Sequence, residues 1–228
     1  MEFHHCPNHS DGVKMIPYLI TDFEGELDPN VLLDDGYVLD TVNPLVGERG
    51  LKMPTDPVNA PYYFYYWHSN LPLLTGVVRL EVTAAMDNNL NSFGIGWRIV
   101  RNGQLAIMFV RVNYGTDRIE LVQGTAAPHI WQTVASPIPV ALRNSALLRP
   151  FRLSLDVDVD TFTYKRVRLH DFLDRTLPND YTYVLDIPNT PTTDANPNGM
   201  TMKINPQGMN GKVGVAWMDE VKIFTGIA

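Results

Sequence analysis

Apolar and polar residues alternate along several long stretches of this chain, and this alternation is the feature that most restricts its fold. In residues 75–85, Val78, Leu80 and Val82 are separated by polar residues, and residues 149–158 and 213–223 repeat the pattern. Successive side chains of a β-strand point to opposite faces, so strict alternation predicts strands with one buried face. The chain is therefore predicted to consist mainly of half-buried strands.

Turn residues divide the rest of the chain into further short strands. Asn102-Gly103 lies between two alternating runs and predicts a hairpin, because both residues tolerate the positive φ of a two-residue turn. A single short helix is expected over 169–177, and the Pro-, Asn- and Thr-rich stretch 188–208 is expected to be a long surface loop. This pattern favours an all-β fold, a two-sheet antiparallel jelly-roll β-sandwich with at most one short helix. The additional strands are predicted at 36–42, 49–53, 61–68, 92–101, 104–112, 117–123, 161–168 and 181–186.

Length and charge limit the domain organisation and the partners. A chain of 228 residues can bury a sizeable core as one domain, so we expect a flexible N-terminal segment, 1–15, and a single jelly-roll domain, 16–228. With 18 Lys and Arg against 25 Asp and Glu, the net charge is −7. This excess argues against nucleic acid or an anionic membrane as the main partner.

The sequence gives little sign of a membrane-spanning or secretory segment. The longest apolar runs, such as 105–110, are far shorter than the ~20 residues that cross a bilayer. The N-terminus lacks the basic start and apolar stretch of a secretory signal. The single cysteine, Cys6, excludes an intrachain disulfide. Together these observations favour a cytoplasmic location, and a chain that begins after a processed leader is the alternative that stays open.

Three segments in a fixed order carry a family resemblance. They are residues 21–25 (TDFEG) followed by 47–53 (GERGLKM), then 151–164 (FRLSLDVDVDTFTY), and finally 214–224 (GVAWMDEVKIF). This order resembles the concanavalin A-like lectin and glucanase jelly rolls, including laminin-G-type modules. Galactose-binding jelly rolls share the two end motifs and stay open as an alternative. The resemblance implies a sandwich whose concave sheet binds glycans, in either a catalytic or a non-catalytic module.

The resemblance also implies a metal. In related carbohydrate-binding jelly rolls the opening Glu and the closing Asp often share a structural calcium, and the matching residues here are Glu24 and Asp219. Calcium prefers hard oxygen ligands, which these side chains supply. The alternative is that both residues simply lie at the rim of the sheet.

Catalytic carboxylates are poorly represented. The glucanases that the chain resembles use a Glu-x-Asp-x-Glu type of strand motif, and this sequence has none. Asp156, Asp158 and Asp160 share a parity, a spacing that suits an acid–base pair or a cation, but a strand that runs into a polar turn is the favoured explanation. The weak catalytic candidates are Glu81, Asp156 and His68.

An aromatic stretch over 62–68 (YYFYYWH) is the most unusual local sequence. As a strand it sends Tyr62, Tyr66 and His68 to one face, where rings can stack on sugars; the alternative is that aromatic residues simply favour strands. Trp131, in a loop predicted over 125–137, is expected at the rim of the same site.

Three arginines are predicted to face away from the core. They are Arg79, Arg98 and Arg152, each alternating with core residues of its strand. On one sheet face they would bind a carboxylate or sulfate bidentately, and Gly94 and Gly96 beside Arg98 would leave room for a ligand. The alternative is that the arginines pair with Glu81 and Asp156 on a solvated face.

These observations lead to a ranked interpretation. The leading function is a non-catalytic carbohydrate-binding module or lectin-like domain that prefers acidic oligo- or polysaccharides. The first alternative is a glycoside hydrolase or polysaccharide lyase with a non-standard site, and the second is a structural or interaction domain.

Overall fold

The computed structural model describes residues 14–21, 23, 31–33, 38–40, 49–55, 66–125, 128–138, 150–172 and 180–227. Within these ranges the chain contains only strands and connecting segments, so no helix there is long and apolar enough to cross a membrane. The strands form two eight-stranded antiparallel sheets. This confirms the predicted all-β sandwich.

The first sheet contains both ends of the described chain. Its strands are β1 (Lys14–Thr21), β3 (Val38–Asp40), β4 (Gly50–Pro54), β6 (Val77–Met86), β11 (Phe151–Asp158), β12 (Thr163–Asp171), β13 (Asp180–Pro188) and β16 (Val215–Ile227). They are ordered β13-β12-β11-β6-β16-β4-β3, and β1 pairs with the second half of β16. Lys14 and Met15 therefore belong to a strand, whereas the rest of the predicted flexible segment lies outside the described residues.

The second sheet carries the surface that matters for function. Its strands are β2 (Val31–Leu33), β5 (Tyr66–Leu71), β7 (Leu90–Arg101), β8 (Gln104–Asn113), β9 (Arg118–Gln123), β10 (Ile130–Ala135), β14 (Thr192–Thr193) and β15 (Gly199–Gly208). They are ordered β10-β9-β8-β7-β15-β5-β2, and β14 pairs with the start of β8. The predicted Asn102-Gly103 hairpin joins β7 to β8, with φ of 52° and 73°.

The core lies between the two sheets. Alternate residues of β6 and β7 are fully buried, as the alternation predicts, and the Phe93 and Phe151 rings meet edge to face at 5.6 Å across the interface. The other parity of each strand faces outward. Two outer faces therefore remain, one on each sheet.

The structure corrects three predicted segments. Residues 169–171 of the predicted helix are the end of β12, and its residues 173–177 lie outside the described residues. Residues 199–208 of the predicted loop form β15, a central strand, because Met200, Met202 and Ile204 alternate into the core. Part of the predicted 125–137 loop is the edge strand β10.

Candidate ligand-binding site

A recess of about 300 Å³ lies on the outer face of the second sheet. It extends across β15, β7, β8, β9 and β10, and its size is at the lower end of the range for small-molecule sites. The outward-facing residues that line it are Ser92, Arg98, Ile107, Phe109, Arg111, Val122, His129, Trp131, Thr201, Lys203, Asn205 and Gln207.

Two glycines of β7 allow a phenyl ring to lie flat on the sheet under this recess. The register pairs Gly94 with Arg111 and Gly96 with Phe109 of β8. A Cβ at Gly94 would overlap the Phe109 ring, and one at Gly96 would lie 2.7 Å from it. The space predicted for a ligand above these glycines is therefore occupied by Phe109, which becomes part of the recess.

Trp131 and Arg111 form one wall of the recess. The guanidinium carbon of Arg111 lies 3.4 Å from the centre of the Trp131 ring. Arg111 Nε is also 2.8 Å from Glu120 Oε2, a buried carboxylate that accepts a hydrogen bond from Asn113 Nδ2. The edge-to-face contact between Phe109 and Trp131 completes the wall at 6.5 Å. The guanidinium plane is thus fixed by an aromatic face and by a carboxylate.

The remaining charged lining residues are basic. Arg98 and Lys203 line the recess together with Arg111, and no Asp or Glu is among the described lining residues. Arg98 Nη2 donates to Asp194 Oδ2 over 3.2 Å, and its side chain is 41% exposed. The recess is therefore locally basic in a protein of net charge −7.

Two side chains replace backbone pairing behind this site. The β8–β9 ladder ends at Val110 and Leu121, and the next pair in the same register is Phe109 and Val122. The Tyr164 hydroxyl lies between them, accepting from Phe109 N–H at 2.9 Å and donating to the Val122 carbonyl at 2.7 Å. Burial raises the pKa of Tyr164 above its ordinary value, although the hydrogen bond from Phe109 opposes this.

Further along β8 and just beyond the end of β9, the Asn189 side chain joins the backbone of Ile107 to that of Gly124. Its Nδ2 donates to the Ile107 carbonyl at 2.6 Å, and its Oδ1 accepts from Gly124 N–H at 2.7 Å. Because Ile107, Phe109 and Val122 all line the recess, these two side chains fix the backbone beneath it. They also satisfy buried polar groups that would otherwise lack partners.

The prediction that three arginines share one face is wrong. Arg79 and Arg152 lie in β6 and β11 on the outer face of the first sheet, whereas Arg98 lies in β7 on the second. Arg79 makes a bidentate pair with Asp156 at 2.7 and 2.9 Å, and Arg152 Nε is 3.3 Å from Glu81 Oε1. For these two arginines the alternative of pairing with Glu81 and Asp156 is confirmed, although the Arg79–Asp156 pair is buried and not solvated as predicted. Any role of these arginines in ligand binding stays a prediction.

The predicted aromatic residues are only partly described. Tyr62 lies outside the described residues, and Tyr66 and His68 lie in β5, in register with Ile204 and Met202 of β15. Their ligand roles stay predictions. Trp131, by contrast, is placed in the recess wall.

The catalytic candidates are not brought together. Glu81 and Asp156 are engaged by Arg152 and Arg79 on the first sheet, and His68 belongs to the second sheet. The predicted carboxylate row ends in a turn, because Asp158 Oδ1 accepts from Asp160 N–H at 3.0 Å and Asp160 pairs with Arg101. The polar-turn alternative is therefore confirmed.

The predicted calcium ligands are Glu24 and Asp219. Glu24 lies outside the described residues, and Asp219 is buried where the register between β16 and β6 shifts. In the part of the chain that the structure describes, no group of three or more His, Cys, Asp or Glu side chains is arranged to hold a metal ion. The calcium between Glu24 and Asp219 therefore stays a prediction.

Sequence reasoning missed Phe109, Arg111 and Lys203. Arg111 continues the outward parity of Ile107 and Phe109, but the apolar run 105–110 obscured which parity faces the core. Lys203 lies in the Pro- and Asn-rich stretch whose composition predicts a loop. The alternation of 200–204 is the signal that identifies it.

Comparison with known proteins gives structural neighbours only. No protein-family model and no curated protein sequence matches this chain. The Lotus tetragonolobus seed lectin is similar at a TM-score of 0.57 and 10% identity, over 93% of this chain and 100% of the lectin. The calcium-bound exoplasmic/lumenal domain of VIP36 is similar at 0.55 and 9%, over 96% of this chain and 94% of that domain.

A viral module is also similar. The CBM2 module of the evolved Dit of Lactobacillus casei BL23 phage J-1 has a TM-score of 0.52 and 10% identity, over 95% of this chain and 98% of the module. These neighbours show that the chain has the concanavalin A-like jelly-roll fold, as its sequence motifs implied. Proteins with different functions share a fold, so this similarity shows the fold alone and the function has to be argued from the site.

Proposed function

We propose that this protein binds carbohydrate without catalysis, at the recess on the outer face of the second sheet, and that it prefers acidic glycans. The observation that carries the proposal is the wall formed by Trp131 and Arg111 beside basic lining residues. The lectin similarity supports the class of ligand through the fold alone.

The aromatic part of the wall supports sugar binding. Trp131 is half-buried, and its neighbours Phe109 and His129 meet it edge to face at 6.5 and 6.4 Å. A held indole offers a rigid apolar surface with a polar edge, which suits the C–H face of a sugar ring. The polar residues opposite, Asn205 and Gln207, suit its hydroxyl groups.

The charge of the lining supports an acidic ligand. Arg98, Arg111 and Lys203 reach the recess, whereas the carboxylate partner of Arg111 is buried behind it. Arg98 presents a planar fork that matches carboxylate and sulfate groups. An anionic sugar therefore meets cations without meeting a carboxylate among the described lining residues.

The same composition favours binding over hydrolysis. Glycoside hydrolysis uses a pair of carboxyl groups on either side of the scissile bond. The described lining residues supply none, and Glu81 and Asp156 are held in ion pairs on the opposite sheet. A non-catalytic site requires only the shape and polarity that the recess has.

Calorimetric titration with neutral and acidic oligosaccharides tests the proposal. We expect acidic glycans to bind with submillimolar dissociation constants, and Trp131→Ala to abolish measurable binding. Trp217→Ala is the matched control, because Trp217 lies in β16 of the first sheet between the core residues Ala216 and Met218. Binding no tighter than millimolar to every glycan, or equal loss in both variants, contradicts the proposal.

Calcium has no part in the proposed contacts. The ion between Glu24 and Asp219 that the resemblance implies is tested by melting curves of the purified protein. Loss of a bound ion to EDTA lowers Tm, and added calcium restores it. Identical melting curves with and without EDTA would contradict the predicted calcium ion.

A further inference from the structure

The most exposed arginine of the recess, Arg98, is paired with a carboxylate of the protein itself, that of Asp194. Asp194 Oδ2 accepts from Arg98 Nη2 at 3.2 Å, and this is the one hydrogen bond that the Arg98 guanidinium makes to the described residues. Asp194 is not itself a lining residue. The contact therefore places an anion on Arg98 from the side of the recess.

Asp194 is held in this orientation by its own loop. Its Oδ1 accepts from both the backbone N–H and Nδ2 of Asn196, at 2.8 and 2.6 Å, which leaves Oδ2 directed at Arg98. Its backbone N–H donates to the Gly103 carbonyl at 2.9 Å. The side chain is only 10% exposed. This carboxylate is thus positioned by several contacts, unlike a chance pair of long surface side chains.

The whole segment that carries Asp194 is fastened to the recess. Asn189 joins it to the backbone of Ile107, Thr192–Thr193 pairs with the start of β8, and Asn198 Oδ1 accepts from Asn102 N–H at 2.9 Å. These contacts hold the segment against β8, and they keep the Asp194 carboxylate next to Arg98.

We propose that Asp194 is a specificity-determining residue that competes with the acidic group of the glycan for Arg98. This inference rests on the proposed function and names one determinant of it. A carboxylate or sulfate on the ligand draws the Arg98 guanidinium away from Asp194, because a single contact joins the two side chains and Arg98 is 41% exposed. A neutral sugar leaves the Arg98–Asp194 pair intact and gains no ion pair with Arg98. Asp194 thereby sets how strongly an acidic glycan is preferred.

Titration with a matched pair of ligands tests this proposal: a short oligogalacturonate and its neutral methyl ester. In Asp194→Asn we expect the ratio of acid to ester affinity to rise about three- to fivefold, in line with the weight of a partly exposed ion pair. Asp186→Asn is the control. It makes the same change in net charge at an ion pair with Lys165 on the first sheet, where the Asp186 side chain is 82% exposed. The ratio should not change in this variant.

A double-mutant cycle with Arg98→Met locates the effect. With Arg98 absent, Asp194→Asn should leave the ratio unchanged. An equal rise in both backgrounds, or in Asp186→Asn, shows a general charge effect and overturns the inference. Binding of both ligands with an unaltered ratio in Asp194→Asn overturns the inference alone, whereas binding of neither ligand overturns the proposed function together with it.

Discussion

The guanidinium of Arg111 is stacked on Trp131 at 3.4 Å and is bound from behind by the buried carboxylate of Glu120 at 2.8 Å. This relationship joins an edge strand, β10, to the second and third strands of the sheet. It gives the recess a rigid wall whose ring and charge are fixed before a ligand arrives. Preorganised contacts of this kind reduce the entropic cost of binding.

Removing the Arg111 guanidinium should weaken both folding and binding. Arg111→Met leaves Glu120 buried beside Asn113 without its cation, so we expect a loss of about 2 kcal/mol in the free energy of unfolding. Glycan affinity should fall about tenfold, which corresponds to ~1.4 kcal/mol. Urea unfolding and calorimetric titration measure the two effects.

Arg79→Met is the control for that prediction. Arg79 forms an equally well-made buried pair with Asp156, but on the outer face of the opposite sheet. It should lower the free energy of unfolding without changing affinity measured under conditions where the variant is folded. Weakened binding in Arg79→Met, or full affinity in Arg111→Met, contradicts the assignment of the site.

The Tyr164 hydroxyl should be worth more than an ordinary core hydroxyl. Tyr164→Phe leaves Phe109 N–H and the Val122 carbonyl without the partner that joins them, and we expect a loss of about 2 kcal/mol. Tyr183→Phe, in the edge strand β13, removes a hydroxyl from a half-buried ring and should cost less than ~0.5 kcal/mol. Chemical denaturation distinguishes them. Equal losses in the two variants would show that the Tyr164 hydroxyl, between Phe109 and Val122, adds nothing to the free energy of unfolding.

Tyr164 should also make folding sensitive to alkaline pH. Its pKa in the folded protein is raised by burial, so the unfolded chain loses this proton first as pH rises. The stabilisation is complete below the ordinary tyrosine pKa of about 10 and is lost progressively above it. The free energy of unfolding should therefore fall more steeply above that pH in the original protein than in Tyr164→Phe. Parallel pH profiles would contradict this.

Gly96 should not tolerate a side chain. A Cβ there would overlap the Met108 carbonyl oxygen and lie 2.6 Å from the Phe109 Cα, so the strand pair must separate. We expect Gly96→Ala to cost about 3 kcal/mol, with loss of the recess. Gly199→Ala is the control at the start of β15, because nothing lies within 4 Å of its added Cβ. It should be neutral or slightly stabilising, and a comparable loss in thermal unfolding would remove the steric explanation.

Alternation along the sequence predicted most strands of the first sheet, and β7, β8 and β9 of the second, but not which strands pair with one another. Val78, Leu80 and Val82 are buried in the core as their alternation predicts, because parity is local information. Whether β6 and β7 share a sheet is decided by pairing between distant segments, which parity does not contain. For that reason Arg79 and Arg98 were predicted on one face and lie on two.

Composition misled the prediction where it opposed periodicity. Pro206, Asn205 and the flanking glycines made 199–208 look like a loop, although Met200, Met202 and Ile204 alternate. Tertiary pairing with β7 and β5 overrides these weak β-formers. The recess could be predicted only in part. Trp131 is a candidate by its residue type alone, whereas Lys203 can be placed in the recess only once residues 199–208 are known to form a strand.

The position of β15 also determines when the recess can exist. This strand lies between β7 and β5, yet it is encoded about a hundred residues after β7. A ribosome that has not passed Gly208 leaves the long edge of β7 without its neighbour, and with it a row of unpaired amide and carbonyl groups open to other chains. Assembly therefore depends on contacts between distant parts of the chain, which form slowly. The surface that we propose reads glycans is among the last parts of the molecule to be completed during synthesis.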